Sequence, residues 1–472
     1  MRRRRHLAPV WLHVALAGLA VLAVPIPGAA AKSEADRFWL VGTGALDDGL
    51  YETAYAELGR FIQVAPTDPR RGDAALLRGK AAFQMERYAE ALTEFETAET
   101  FPLTLATPGE PIYWQGETLF RLGRREEARE RYARFLALKP AAPYAAEALY
   151  ARGLTELESG RAEGAIDTFR DFLKDYPNHP RAPLAAYSAA RELIRAKRWD
   201  DALALLTPYA TRYPGSPYLA ESRYLLGMAQ LEAGRPEAVR TLEQFIAQAP
   251  TSDLVPAARV LVGDAQAKAG RLREALEQYQ TLIRTAPTSV LAPGALYRSG
   301  ELALKLGRPT DAEAAWTTLR RDFPQDAQAS PAGLALADLY TKRKQWEPAL
   351  QVAQAVADVR GETRSDALLI VGQSALQLRR NTEAAQAYHA VVAEASPASK
   401  RYFEGLAGLA AALDAAADKE GAKRAYREIV DTGQDPDLVR WAKGRLTVLE
   451  TPAPAPPRDA PRPKAKPKGS GG

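Results

Sequence analysis

Residues 150–161 read YARGLTELESGR, a stretch that places Gly153 inside a helical pattern. A glycine in a helix interior costs about 1 kcal/mol relative to alanine, so its position there needs a packing reason. A small residue recurs every 36 or 37 residues along the chain, with one place skipped. The members of this column are Gly42, Gly79, Gly116, Gly153, Ala190, Gly227, Gly263, Gly300, Ala337 and Ala410. Gly153 therefore belongs to a repeat.

The same period appears in the residues that end helices. A turn follows seven residues after each small residue, as Gly160-Arg161 follows Gly153. Further on, a proline closes the block, and the steps between these prolines are 36 to 38 residues. They are Pro66, Pro102, Pro140, Pro177, Pro214, Pro250, Pro287, Pro324 and Pro397, with Gly361 in the missing place. Glycine and proline end helices for different steric reasons, so the pattern predicts eleven blocks of two amphipathic helices, called here helix A and helix B.

Helix B carries its own repeated pair. An alanine stands four or five residues after the turn, and a bulky apolar residue usually follows four residues later, as in Ala165 and Phe169. We expect the small residue of helix A to face the alanine of helix B, and the bulky residue to pack on the next block. One block cannot bury its apolar face alone, so stacking must build the core.

The order of small residue, turn glycine, alanine, aromatic residue and proline resembles the tetratricopeptide repeat. One block carries it as Gly153, Gly160, Ala165, Phe169 and Pro177. The resemblance covers residues 32–450 and implies an all-α, right-handed superhelical solenoid of about eleven antiparallel helix pairs, capped by a helix at 437–450. The 36 to 37-residue units and their Tyr-Pro ends are similar to those of exported bacterial envelope proteins of the BamD and YbgF type.

The two ends of the chain differ from this body. Residues 1–31 have a basic start, an apolar stretch and an A-x-A ending, which predicts a secretory signal cleaved near Ala31 and a periplasmic protein. The alternative is an uncleaved membrane anchor. The chain contains no cysteine, so we do not expect a lipoprotein. Residues 451–472, rich in Pro, Ala and Lys, predict a disordered basic tail with weak affinity for anionic envelope polymers or lipid headgroups. The alternative is a solvated spacer.

Charge and composition argue against several functions. The chain has a net charge of +5, but the leader and the tail are basic and residues 32–450 carry −3, so nucleic-acid binding is not expected. The body holds two histidines, His179 and His389, and no known catalytic motif. We therefore predict no cofactor, no metal and no enzymatic activity.

One column on helix A points to a binding role. Three residues before the small residue, a tyrosine recurs, and in tetratricopeptide repeats this position faces the concave groove. Tyrosine suits protein recognition because it combines a large rigid apolar area with a polar tip. The alternative is that the rings pack between successive helices A. The predicted partner-binding residues are Tyr113, Tyr150, Tyr187, Tyr224 and Tyr297.

The sequence thus predicts a non-enzymatic scaffold that binds a protein or peptide in its concave groove during envelope assembly or maintenance. Two alternatives stay open. The repeats could be the helical part of a cell-wall enzyme system, which would need a catalytic domain of well over a hundred residues. They could instead form a self-assembling structural protein of the envelope.

Overall fold

The computed structural model describes residues 33–107, 109–140, 144–397 and 399–451. The predicted signal peptide and the predicted tail beyond Thr451 lie outside these residues. All regular secondary structure in the described residues is helical, so the predicted all-α fold class is confirmed. The helices follow one another as pairs joined by tight turns, and each is most closely packed against its neighbours in sequence.

The chain divides into two compact units between Ala196 and Lys197. The described part of the first unit contains four helix A–helix B pairs and the helix A of a fifth block. Its helices are α1 Glu34–Asp47, α2 Tyr51–Val64, α3 Arg71–Gln84, α4 Tyr88–Glu99, α5 Glu110–Arg121, α6 Arg125–Ala137, α7 Tyr144–Glu158, α8 Ala162–Asp175 and α9 Ala182–Arg195.

The second unit begins with a helix B that is broken in two and continues with six further pairs and a last helix. Its helices are α10 Trp199–Leu206, α11 Tyr209–Arg212, α12 Leu219–Glu232, α13 Ala238–Gln248, α14 Val255–Lys268, α15 Leu272–Thr285, α16 Ala292–Lys305, α17 Pro309–Asp322, α18 Ala329–Lys342, α19 Trp346–Ala357, α20 Arg364–Gln377, α21 Asn381–Glu394, α22 Lys400–Ala415, α23 Lys419–Thr432 and α24 Pro436–Glu450. The break between α10 and α11 falls at Pro208, whose nitrogen has no hydrogen to donate to the helix.

The turn between helix A and helix B is left-handed in most blocks. Gly160 has a φ of +73°, and an added Cβ there would meet open space, so backbone conformation rather than packing favours glycine. Other blocks reach the same conformation with a non-glycine residue such as Glu86 or Lys197. Most of the predicted turns are therefore confirmed, and glycine is a preference at this position.

Gly153 explains why small residues recur on helix A. A Cβ built on it would lie 2.7 Å from the ring of Phe169 on helix α8, which is too close for a real contact. The predicted contact of small residue with alanine is therefore wrong. The glycine faces the bulky residue of helix B in its own block, because a flat ring needs the space that a side chain would occupy. The same contact joins Gly79 to Phe95, Gly116 to Tyr132, Gly263 to Tyr279, Gly300 to Trp316 and Gly372 to Tyr388.

Two pairs have their turn one residue earlier than the sequence pattern predicts. In α22–α23 the residue with positive φ is Ala417, where the pattern predicts a turn at Asp418-Lys419, and in α20–α21 it is Arg379, where the pattern predicts Arg380-Asn381. Seven residues before Arg379 stands Gly372, the member missing from the predicted column of small residues. The fully buried alanine of that helix B is Ala384, whereas Ala385 is partly exposed. Neither of these two turns contains a glycine that would mark its place in the sequence.

Candidate partner-binding pocket

Two of the five predicted tyrosines stand on neighbouring helices A of the first unit and line the same pocket. Tyr113 on α5 is 8% exposed, and its ring centroid lies 5.6 Å from that of Phe135 and 5.1 Å from that of Tyr144. Tyr150 on α7 is 5% exposed and packs against Phe169. Both rings therefore belong mainly to the core.

Tyr113 and Tyr150 nevertheless line one open pocket of about 190 Å³. Its walls come from α5, α6 and α7, together with one residue from the link before α9. The lining residues are Tyr113, Glu117, Phe120, Arg121, Tyr132, Glu147, Tyr150, Ala151, Leu154 and Arg181. We call this the Glu117 pocket. It combines aromatic walls with four charged groups, a composition suited to holding a side chain of another molecule.

Glu117 is the charged group most withdrawn from water in this pocket. It follows Gly116 on α5, and its Oε1 accepts a 2.7 Å hydrogen bond from the hydroxyl of Tyr132 on helix α6. Burial raises the pKa of the Glu117 carboxyl, and the hydrogen bond from Tyr132 and the charges of Arg121 and Arg181 oppose the rise. Burial also raises the pKa of Tyr132 well above its ordinary range. No ion pair within 4.0 Å involves Glu117 among the described residues.

An ion pair between Arg181 and Glu147 also lines the pocket. Arg181 Nε lies 2.8 Å from Glu147 Oε2, and its guanidinium sits 4.8 Å from the centre of the Tyr150 ring. His179 Nε2 is 3.5 Å from the other Glu147 oxygen. Glu147 is thus compensated within the chain, and Arg181 is held over the aromatic wall.

The other three predicted tyrosines do not join this pocket. Tyr187 on α9 is partly exposed, with the Arg191 guanidinium 5.9 Å from its ring. In the second unit, Tyr224 packs on Phe245 with ring centroids 5.6 Å apart, and burial raises the pKa of the Tyr224 hydroxyl. Tyr297 is also partly exposed, and its carbonyl accepts a 3.3 Å hydrogen bond from Trp316 Nε1. Partner binding by all five tyrosines stays a prediction.

The site residues predicted from the sequence do not include Glu117, Tyr132, Glu147 or Arg181. The repeat did contain a signal for the pair of Glu117 and Tyr132. In two blocks whose bulky residue on helix B is tyrosine, an acid follows the glycine of helix A, as in Glu117 with Tyr132 and Asp264 with Tyr279. In the block of Tyr388 the residue after Gly372 is Gln373. Where it is Phe169, the residue after Gly153 is Leu154. The contact of Arg181 with Glu147 had no such signal, because it joins two different blocks.

Other surfaces of the described residues offer less. A wider groove of about 650 Å³ lies among α21, α22 and α23, with Leu406, Leu409 and Leu413 among its lining residues. It contains none of the predicted tyrosines. Within the described ranges, no group of three His, Cys, Asp or Glu residues is arranged to hold a metal ion. None of the described helices combines the length and the apolar character needed to cross a membrane.

Comparison with protein families agrees with this architecture. Two family models described as Tetratricopeptide repeat match residues 42–102 and 297–367 in one case and 112–140 in the other. A third model, YfiO, described as Outer membrane lipoprotein, matches residues 142–298. The chain thus contains tetratricopeptide repeats in these ranges, and its central part is similar to the YfiO family. Repeats of this type form a protein-interaction scaffold.

Solved structures with a similar fold are distant in sequence. A tetratricopeptide repeat protein from Parabacteroides merdae is 16% identical, with 56% of this chain and 98% of that chain covered and a TM-score of 0.35. A chain of the Naa15/Naa10 complex bound to HypK-THB is 13% identical over 88% of this chain and 66% of that chain, with a TM-score of 0.42. The pilF protein of Pseudomonas aeruginosa is 17% identical over 48% and 96%, with a TM-score of 0.34. No curated protein matches the sequence.

Proposed function

We propose that this chain is an exported scaffold of the bacterial cell envelope that holds a protein or peptide partner at the Glu117 pocket. The observation that carries the proposal is the meeting of Tyr113 and Tyr150 around an open, charged pocket on neighbouring helices A. Aromatic rings held rigidly by the core lose little conformational freedom when a partner packs on them, so they favour binding. Tyr187, Tyr224 and Tyr297 are proposed as further contacts along helices A.

The envelope location is supported by two independent features. The YfiO model, which describes an outer membrane lipoprotein, matches the segment that includes Tyr150, Glu147 and Arg181. The leader at residues 1–31 has the composition of a cleaved secretory signal. Because the sequence has no cysteine, we propose a periplasmic scaffold that carries no lipid on a cysteine of its own.

The domain organisation proposed for this function has three parts. They are a signal peptide at 1–31, a repeat body at 32–450 with a C-terminal capping helix, and a basic tail at 451–472. The tail would add a weak contact with anionic envelope polymers or lipid headgroups, since its basic residues alternate with proline and alanine. The body would act by binding, and we assign no reaction to it.

Site-specific crosslinking in cells tests the binding face. A photoreactive amino acid at Ala151, in the wall of the pocket, should give a discrete adduct whose mass exceeds that of the chain by one partner. The matched control places the same amino acid at Asp171, which is exposed on helix B of the same block. The proposal is contradicted if the two positions give the same adducts, or if position 151 gives none while the protein remains folded.

Two further measurements address location and assembly. Sequencing of the mature N-terminus should begin at Lys32, and the protein should become protease-sensitive when the outer membrane is permeabilised. Retention behind the inner membrane would overturn the envelope proposal. Light scattering of the purified protein separates an adaptor from the self-assembling alternative, which predicts particles much larger than one or two chains.

A further inference from the structure

A second pocket in the molecule occupies the same place in the repeat as the Glu117 pocket. It lies in the second unit among α14, α15 and α16, has a volume of about 190 Å³, and is lined by Asp264, Ala267, Tyr279, Arg298, Glu301, Leu302 and Lys305. We call it the Asp264 pocket. Asp264 follows Gly263 as Glu117 follows Gly116, and the hydroxyl of Tyr279 donates to Asp264 as that of Tyr132 donates to Glu117. Each pocket therefore contains one acid that accepts a hydrogen bond from a tyrosine hydroxyl.

The pockets differ in how the acid is neutralised. In the Asp264 pocket, Arg298 from the next helix A places Nη1 3.0 Å from Asp264 Oδ1. The guanidinium of Arg298 also lies 5.9 Å from the centre of the Tyr279 ring. In the Glu117 pocket, the residue one position after Tyr150 is Ala151, whereas the residue one position after Tyr297 is Arg298. The methyl group of Ala151 leaves Glu117 without the cation that its counterpart has.

The nearby arginines do not replace that cation. Arg121 is four residues after Glu117 on an exposed part of α5, but Lys268 stands in the same relation to Asp264, which still pairs with Arg298. The charge of Arg181 acts on Glu117, but its guanidinium is paired with Glu147, with Nε 2.8 Å from Oε2. A partly buried carboxylate facing an open pocket with aromatic walls is therefore left for a cation from outside the chain. Burial of such a group is unfavourable until it is paired.

We propose that the Glu117 pocket binds a cationic side chain, arginine or lysine, of a partner peptide, in the position that Arg298 fills internally in the Asp264 pocket. The incoming guanidinium or ammonium pairs with the Glu117 carboxylate and lies against the ring of Tyr113. A guanidinium suits this arrangement because it forms charge-assisted hydrogen bonds and stacks on aromatic faces. This inference rests on the proposed use of this face for partner binding and names the chemistry that it recognises.

A small probe tests the pocket without any protein partner. Binding of N-acetyl-L-arginine amide to the full chain is measured by saturation-transfer NMR, with N-acetyl-L-citrulline amide as the neutral probe of nearly equal shape. We expect the arginine probe to bind about tenfold or more tightly than the citrulline probe, since only the former makes charge-assisted hydrogen bonds with the carboxylate. Glu117→Gln should remove that difference while the circular dichroism spectrum stays unchanged.

Internal substitutions give the controls. Ala151→Arg should abolish probe binding because it supplies the missing cation from within the chain. Asp264→Asn should leave binding unchanged, since that acid is already paired. In the Glu117→Gln background, Arg298→Ala should restore binding at the Asp264 pocket, and adding Asp264→Asn should remove it again. Each substitution changes probe binding at one carboxylate only, so each pocket serves as a control for the other.

The results that would contradict the cationic pocket differ from those that would contradict the proposed function. Equal binding of the two probes, or unchanged arginine binding by Glu117→Gln or Ala151→Arg, would overturn the cationic pocket and leave the scaffold proposal standing. Arginine-probe binding with no adduct at position 151 in cells would keep the pocket and contradict the proposed use of this face for a partner.

Discussion

The helix pairs α5–α6 and α7–α8 build one contact with two different chemistries. In both, a ring on helix B covers a glycine on helix A, at Gly116 with Tyr132 and at Gly153 with Phe169. In α5–α6 the ring ends in a hydroxyl bound to the carboxylate of Glu117. In α7–α8 the corresponding residues are phenylalanine and Leu154, and the contact has no polar end.

The difference teaches that the repeat keeps its packing contact while the residues at the edge of that contact vary. The flat face of the ring and the missing Cβ of the glycine are the shared part, and they hold the pair together. The far edge of the ring and the residue after the glycine are free to vary together. Polar versions of that edge occur where a pocket opens, at Glu117 and at Asp264.

We expect the largest effect from removing the ring on helix B, which is the part of the contact that both helix pairs have. Phe169 is 1% exposed, and Phe169→Ala should lower the free energy of unfolding by about 3–5 kcal/mol, because the cavity adds to the lost apolar burial. Urea unfolding followed by circular dichroism measures the change. Lys174→Ala, at an exposed position of the same helix, should change stability by no more than about 0.5 kcal/mol. Similar losses in both variants would contradict the assigned core contact.

Filling the glycine tests the same contact from the other helix. Gly153→Leu should cost about 1–3 kcal/mol or more, since the new side chain would overlap the ring of Phe169. Gly44 is the matched control, because it also lies inside a helix A and a Cβ there would meet nothing within 4 Å. Gly44→Ala should therefore stabilise the protein by up to about 1 kcal/mol through helix propensity. Changes of the same sign in the two variants would refute the packing explanation.

The hydroxyl and carboxylate found in α5–α6 can be introduced into α7–α8, which lacks them. Phe169→Tyr should cost about 1–3 kcal/mol, because its hydroxyl would be buried beside Leu154 with no partner. The double variant with Leu154→Glu recreates the pair of Glu117 and Tyr132 and should recover much of that loss. A double-mutant cycle in urea measures the coupling between the two positions. Purely additive effects would show that the two positions do not act together.

The smallest expected effect is a dependence of stability on pH. Burial raises the pKa of Glu117 above its ordinary value of 4.5, so the folded chain holds this proton more tightly than the unfolded chain. The contribution of Glu117 to stability is therefore largest below pH 4.5 and falls as the pH rises through the raised pKa. Relative to wild type, Glu117→Gln should gain stability over that interval. Parallel pH profiles of the two proteins would contradict a raised pKa.

Much of the fold was predictable because its signals are local. Glycine in the turn and proline after helix B act through backbone geometry, so Gly160 and Pro177 predict helix ends without knowledge of their neighbours. Two of the blocks without a turn glycine were misplaced by one residue, since Arg379 and Ala417 adopt the same left-handed conformation with no mark in the sequence. The tyrosine column was visible, but its burial was not, because burial depends on which ring of helix B lies beneath it.

The sequence by itself determined the helical period, most of the turns, and the column of small residues on helix A. These properties repeat every 36 or 37 residues, and periodic signals survive the variation of single residues. The tertiary structure decided that Gly153 faces a ring, that Tyr113 and Tyr150 share one pocket, and that Glu117 lacks the cation its counterpart has. Those facts join residues on different helices, and the distance between two helices depends on all the side chains packed between them.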